Sequence, residues 1–263
     1  MNPARIFKDS AYRQWVWLWL FSRFRSRYKP GIFRAFGFEL EVSDFISVAY
    51  QFRDIFVEQE YKLPKLGPKP VIIDVGANVG VSLLYFCKTL VEPEIHAFEA
   101  DPDIFDKLQR NVQRNAAKAC IHLINAAAYV SNGTIRFLHE GADGGQISAA
   151  TDVHLTRDIP SLDLLIYLQK FEHIDLLKID IEGAEALVIP HCAPMFDRID
   201  RIFIEYHSSP DKEQSIVSLL SLLKTSGFRL HLQSADGIRS PFAPDRHGAF
   251  DNQVNIYAYR LLV

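Results

Sequence analysis

The sequence predicts an α/β fold: a mostly parallel sheet covered by helices, with an antiparallel C-terminal strand and a helical N-terminal cap. Two observations carry that reading. From Val71 onward, short apolar runs alternate with helical patterns, as a parallel sheet with crossover helices requires. Ahead of it, Leu63-Pro64-Lys65-Leu66-Gly67-Pro68-Lys69-Pro70 interrupts helix and strand alike. We therefore expect an N-terminal cap or extension over residues 1–70 and the main domain over residues 71–263.

The cap has its own pattern. Residues 44–61 read as helix, because Phe45, Val48, Ala49, Phe52, Ile55 and Phe56 recur at three- and four-residue spacing, and Ser43 or Asp44 offers a cap. In the main domain, residues 71–73 form a buried strand that turns into a helix ending near Leu90. Strand Glu94–Glu99, a helix over 102–115 and a strand over 121–124 follow. Strands at 174–179 and 202–206 flank a helix starting near Ala184. A helix at 212–226, a strand at 228–232 and a final strand at 254–260 complete the sheet. Residues 131–171 form an insertion, with a hairpin expected around Asn132-Gly133. Residues 234–253 form a second long loop, and loops of such length in a compact domain usually serve a function.

Composition narrows the function classes. A chain of 263 residues with 48% hydrophobic and 23% charged residues is neither disordered nor collagen-like. Its net charge of −3 gives no reason to expect nucleic acid as a partner. Three scattered cysteines, with no CxxC motif or Cys/His cluster to suggest zinc, suit reduced thiols and a cytoplasmic location. No secretory signal is evident, and the apolar run Trp15–Phe21 is far shorter than the ~20 residues that cross a bilayer. That run lies among Arg5, Lys8, Arg13, Arg23, Arg25, Arg27, Lys29 and Arg34, with Asp9 as the single acid before Glu39. Two readings stay open for residues 1–36: peripheral contact with an anionic membrane, or packing on the domain or a second subunit.

The most informative segment is Val71-Ile72-Ile73-Asp74-Val75-Gly76-Ala77-Asn78-Val79-Gly80-Val81-Ser82. A hydrophobic strand runs into a glycine turn, and a helix begins directly after it. Gly76 allows close backbone approach and Gly80 lets the helix pack on the strand. The dinucleotide fingerprint G-x-G-x-x-G is absent, since Asn78 stands at its second glycine. The acid Asp74 instead favours a ligand with cationic groups, which S-adenosylmethionine has in its ammonium and sulfonium. Glu99, at the end of the second strand, is placed to accept both ribose hydroxyls. Asn125 and Ala126, after the third strand, are placed for adenine. The expected cofactor set is thus Asp74, Gly76, Asn78, Gly80, Ser82, Glu99, Asn125 and Ala126.

The segment Leu176-Leu177-Lys178-Ile179-Asp180-Ile181-Glu182-Gly183-Ala184-Glu185 resembles the K-[IV]-D-[IV]-E-G-x-E motif of FkbM-type methyltransferases. Asp74 to Gly80, Glu99 and Ser161-Leu162-Asp163-Leu164-Leu165 resemble that family as well. The resemblance spans about residues 38–259. It implies a class I methyltransferase fold with a Rossmann-like sheet, S-adenosylmethionine as donor, and O-methylation of a saccharide or related natural-product hydroxyl.

Methyl transfer from a sulfonium is an in-line displacement, so the enzyme aligns a nucleophile and relieves it of a proton. Ligands of such sheets lie beyond the carboxyl ends of the strands. Asp180 and Glu182 share one face there, and so do Glu205 and His207. The expected catalytic set is Asp180, Glu182 and His207, with His207 or Asp180 as base and Glu182 or Glu185 orienting substrate. A divalent metal is not expected as cofactor, although Asp180, Glu205 and His207 would supply the ligands of one. A third reading makes Glu182 and Glu185 stabilisers of the next helix and His207 a loop residue, and Lys178 the partner of an acid. Selectivity is assigned to residues 141–148 and to Arg239, Asp245, Arg246 and His247. Two rival functions remain: a non-catalytic binding module and an NAD-dependent oxidoreductase, the latter disfavoured by the missing fingerprint.

Overall fold

The computed structural model describes residues 3–27, 29–138, 146–147, 156–235 and 250–261. In chain order the elements are α1 (Pro3–Lys8), α2 (Ser10–Arg23), β1 (Gly31–Ala35), β2 (Phe38–Val42), α3 (Phe45–Phe52), β3 (Val71–Val75) and α4 (Val81–Thr89). Next come β4 (Glu94–Glu99), α5 (Pro102–Ala116), β5 (Cys120–Asn125), β6 (Ala127–Tyr129), β7 (Gly133–Leu138), β8 (Gln146–Ile147), β9 (Thr156–Asp163) and α6 (Leu164–Leu168). The last are β10 (Leu176–Ile179), α7 (Glu185–His191), β11 (Arg201–Ser208), α8 (Ile216–Thr225), β12 (Arg229–Ser234) and β13 (Asn252–Tyr259). Short polar residues start several helices by accepting hydrogen bonds from first-turn amides. Asp44 does so for α3, and Asp101, followed by Pro102, does so for α5.

Seven strands form one sheet in the order β12-β13-β11-β10-β3-β4-β5. β10 runs parallel to β3 and to β11, and β4 runs parallel to β5. β13 lies between β11 and β12 and is antiparallel to both, as expected of the final strand. Every residue of β10 is buried, including Lys178, which suits a strand covered on both faces.

The described residues fall into two compact units, one drawn from Met1–Pro70 and Ala77–Asn125, the other from Val71–Gly76, Ala126–His139 and Gln146–Val263. The first contains a β1–β2 hairpin that the sequence did not announce. Its turn, Phe36-Gly37, has both residues at positive φ (58° and 86°), and phenylalanine is not a residue that signals such a turn. Packing supplies the reason: the Phe36 ring stacks on Phe52 at 4.9 Å and lies 5.3 Å from Phe56, while Lys88 Nζ donates to the Phe36 carbonyl at 3.1 Å. Two asparagines one turn apart on α5 replace the strand that β2 lacks on its outer edge. Asn111 accepts from the Glu41 amide at 2.7 Å and donates to the Glu41 carbonyl at 2.9 Å. Asn115 does the same for Glu39, at 2.9 Å and 2.8 Å. Asn111 also donates to the Val79 carbonyl at 2.9 Å, tying the hairpin to the glycine turn.

In the second unit the insertion folds as a separate four-stranded sheet, in the order β6-β9-β7-β8. This corrects the hairpin expected at Asn132-Gly133. β9 enters between the two strands that flank that turn, parallel to β6 and antiparallel to β7. Side chains near the turn hold β9 in place: Ser161 Oγ donates to the Ser131 carbonyl at 3.0 Å, and Asn132 Oδ1 accepts from the Asp163 amide at 3.0 Å.

Candidate functional site

The glycine turn is fixed by what surrounds it. Gly76 sits at φ +83°, and a Cβ built on it would lie 1.8 Å from the Asp180 carbonyl oxygen. No side chain fits there, so the turn and the end of β10 meet backbone to backbone. Beneath them, Lys178 Nζ lies 3.1 Å from Asp74 Oδ1 and 3.7 Å from Asp180 Oδ2, and it donates to the Gly76 carbonyl. Lys178 and Asp74 are 3% and 0% exposed. Burial works to lower the Lys178 pKa, but the Asp74 and Asp180 carboxylates outweigh it and raise the value. Asp74 therefore does not present a bare carboxylate to solvent; it anchors Lys178, which holds the turn. Pairing with an acid was one of the readings of Lys178 from sequence.

Asn78, Gly80, Ser82, Glu99 and Asn125 lie in the first unit. Glu99 Oε2 accepts from the Asn78 amide and Oε1 from the Asp101 amide, each at 2.9 Å. These two amides fix the orientation of the carboxylate. Glu99 does not cap α5, since Asp101 does. Asn125 Nδ2 donates to the Glu99 carbonyl at 2.9 Å and so braces the end of β4. Asn78 holds a left-handed conformation at φ 50°, with its Oδ1 accepting from the Val79 amide at 2.6 Å. The α4 N-cap is Gly80, without a side-chain hydrogen bond to the first turn. An uncapped helix N-terminus offers amide donors to an anionic group such as a carboxylate. Ser82 is buried, and Ala126, in the second unit, is buried as well.

The second unit gathers Asp180, Glu182, Glu185, Glu205 and His207. Asp180 ends the run from β10, and Glu205 and His207 stand on the neighbouring β11. His207 Nδ1 is 3.2 Å from Glu185 Oε1; its Nε2 is 3.5 Å from Glu182 Oε2 and 3.7 Å from Glu205 Oε1. Glu185 is fully buried and accepts from the Ile181 amide at 3.1 Å and from the Gly183 amide at 3.0 Å. This overturns Glu185 as a residue that orients substrate: its carboxylate secures the turn before α7 and one nitrogen of His207. Nor is His207 a free loop residue, since it lies in β11 with only 1% of its side chain exposed.

Burial opposes charge on His207, but the Glu185 hydrogen bond and the surrounding carboxylates raise its pKa to about 10. The carboxylates around the ring thus favour its imidazolium form, which leaves His207 less available as a proton acceptor than a free histidine. Burial, with Asp180 and the other acids, pushes Glu182 up to about 9 against the opposing pull of His207. Glu182 adopts φ 54° and Gly183 φ 100°. A left-handed non-glycine residue is uncommon and is typical of functional turns.

The ligand atoms of Asp180, Glu182 and His207 lie within 4.8 Å of one another, close enough to hold a divalent ion, with Glu182 in the place expected of Glu205. Phe250, which no motif singled out, lies with its ring 4.7 Å from that of His207. The segment 141–145, Ser148, Arg239, Asp245, Arg246 and His247 lie outside the described residues.

The family described as Methyltransferase FkbM domain matches residues 74–230. Methyltransferase sdnD of Sordaria araneosa is 27% identical over 181 residues, covering 55% of this chain and 68% of that protein. Hexuronic acid methyltransferase AglP of Haloferax volcanii is 26% identical over 181 residues, covering 67% of this chain and 73% of that protein. The solved SAM-dependent methyltransferase from Agrobacterium tumefaciens shares the fold, with a TM-score of 0.52, 10% identity, and coverage of 90% of this chain and 72% of that one. With more than half of its length inside the family match, over the glycine turn and both strands that carry the acidic cluster, the chain belongs to the FkbM methyltransferase family and is an S-adenosylmethionine-dependent enzyme.

Proposed function

We propose that the enzyme transfers the methyl group of S-adenosylmethionine to a hydroxyl of a saccharide or related metabolite. The observation that carries this reading is the group of carboxylates around His207 at the carboxyl ends of β10 and β11. That end of a parallel sheet is where ligands of such folds bind, and acidic groups there suit a sulfonium donor and a hydroxyl-rich acceptor. The similarity to a hexuronic acid methyltransferase supports a sugar acceptor.

S-adenosylmethionine, when bound, supplies the electrophilic methyl group. The residues present fit it: Glu99, fixed by two amides, accepts from the ribose hydroxyls, and the amides of the glycine turn and α4 take the carboxylate. Asn125 and Ala126 would border the adenine. Asp74 and Gly76 are positioning residues for the turn. Asp180, half-buried and close to Lys178, accepts the proton of the attacking hydroxyl. Glu182 donates a hydrogen bond to an acceptor oxygen, and the enclosed His207 is a positioning residue for Glu182 and Glu205. Residues 1–70 serve as an N-terminal cap on the methyltransferase region 71–263.

Incubation with methyl-labelled donor and a panel of uronic acid and neutral glycosides tests this reading. We expect label in an alkali-stable ether on a glycoside, lost by about 10²–10⁴-fold in Asp180→Asn with retained binding of S-adenosylhomocysteine. Label confined to nitrogen or carbon acceptors would refute it.

A separate observation favours a peripheral membrane role for the N-terminal helices. α2 buries Tyr12, Trp15, Val16 and Leu18 yet leaves Trp17 70% exposed, with Phe24 beyond it 89% exposed. Arg23 lies over Trp19 at 4.8 Å and Arg25 over Phe21 at 4.8 Å, so bases and aromatics alternate. Among the described residues no helix is long and apolar enough to cross a membrane. Apolar rings beside basic groups fit the surface of an anionic bilayer. Cosedimentation with anionic but not neutral vesicles, reduced by Trp17→Ser with Phe24→Ser, is expected. Equal sedimentation with both lipids would leave contact with a second subunit as the use of this face.

A further inference from the structure

β4 and β5 carry a second group of donors, at the opposite ends of the strands from Glu99 and Asn125. Their parallel register sets Glu94 beside Cys120 and His96 beside His122. Residues two apart on a strand share a face, so all four side chains stand together, and β5 is the last strand of the sheet. Glu94 Oε1 is 3.1 Å from His96 Nε2 and 3.9 Å from His122 Nε2. Cys120 Sγ is 3.7 Å from His122 Nε2. The two imidazoles stack with centroids 4.3 Å apart and planes within 10°.

We propose that Glu94, His96, Cys120 and His122 form a site for a borderline-soft divalent metal ion, with zinc the best fit. Zinc held tetrahedrally at about 2.0–2.3 Å keeps its ligand atoms roughly 3.3–3.6 Å apart, close to the separations found between these donors. Two nitrogens, one carboxylate oxygen and one sulfur select against magnesium and calcium, which take oxygen. Burial is graded as an entry path requires: the His96 side chain is 9% exposed, whereas His122 is 52% and Glu94 41% exposed. Cys120 is also exposed. To bring both Nε2 atoms onto one ion, the exposed His122 ring tilts out of the stack. The Cys120 thiol proton passes to solvent as the metal–sulfur bond forms. The bound ion would clip the edge strand β5 to β4.

Cobalt(II) titration of the whole protein tests the site through a property that the carboxylate–imidazole groups elsewhere lack. A thiolate-to-cobalt charge-transfer band and intense tetrahedral d–d absorption are expected, both displaced by one equivalent of zinc. Cys120→Ser should abolish the charge-transfer band, and His122→Ala should weaken zinc binding at least tenfold. Glu182→Gln should leave the thiolate-to-cobalt charge-transfer band unchanged. Zinc should also raise the melting temperature of the wild type more than that of either cluster variant. Absence of the thiolate band, or zinc affinity unaltered in both cluster variants, would overturn the proposal and leave a hydrogen-bonded histidine stack.

Discussion

A methyl group at Gly76 would lie 1.8 Å from the carbonyl oxygen of Asp180. The glycine turn is therefore shaped by the end of β10 as much as by its own sequence. Gly76→Ala has to shift backbone on one side or the other, and it also meets the penalty of φ +83°. We expect a loss of roughly 3 kcal/mol or more in urea denaturation, together with loss of S-adenosylhomocysteine binding. Wild-type stability and binding in this variant would show that the contact is looser than described.

Lys178 and Asp74 form a buried pair, and removal of one partner leaves the other charged and enclosed. Lys178→Met should cost about 3–5 kcal/mol. Adding Asp74→Asn should restore part of it, because the stranded carboxylate is gone. A double-mutant cycle by chemical denaturation checks this, and additive losses would contradict the pairing.

Much of this arrangement was legible in the sequence, for identifiable reasons. β3 and β10 are mostly apolar runs with few competing patterns, and Asp44 and Asp101 cap where short polar residues before helices should. Two-residue spacing on β11 explains Glu205 and His207, whereas Asp180 and Glu182 lie past the end of β10, and a left-handed turn at Glu182, not strand alternation, brings its carboxylate to His207. The β1–β2 hairpin was not legible, because Phe36 adopts positive φ only when its ring is packed against Phe52. The β6-β9-β7 arrangement was hidden too, since an Asn-Gly turn suggests adjacent pairing and the intruding strand comes from more than twenty residues later. The buried state of Glu185 depends on a tertiary contact with His207 that spacing alone does not reveal.

Asn111 links the hairpin to the glycine turn through three backbone groups of Glu41 and Val79. Asn111→Ala leaves those groups without their side-chain partner inside the protein. A loss of about 2–3 kcal/mol is expected, with weaker S-adenosylhomocysteine binding because Val79 belongs to the turn. Unchanged ligand affinity in a destabilised variant would confine the residue to the hairpin.

The His207–Glu182 pair predicts a direction for stability against pH. Both groups bind their protons more tightly in the folded chain, at about 10 and about 9, than at their ordinary 6.5 and 4.5. The folded state thus carries extra protons as pH rises, so stability falls, through Glu182 from pH 4.5 and through both groups from pH 6.5, levelling near the folded values. Glu182→Gln removes one of the two contributions. Denaturation curves between pH 6.5 and pH 9 should therefore decline less steeply in the variant. Parallel declines would contradict the raised carboxyl.

The most direct measurement is calorimetric titration of the protein with S-adenosylhomocysteine, beside Glu99→Ala and Asp74→Ala. Micromolar binding, weakened at least tenfold (about 1.4 kcal/mol) in Glu99→Ala by loss of the ribose acceptor and in Asp74→Ala through the turn, is the predicted result. A folded wild-type protein that takes up no S-adenosylhomocysteine would contradict the account.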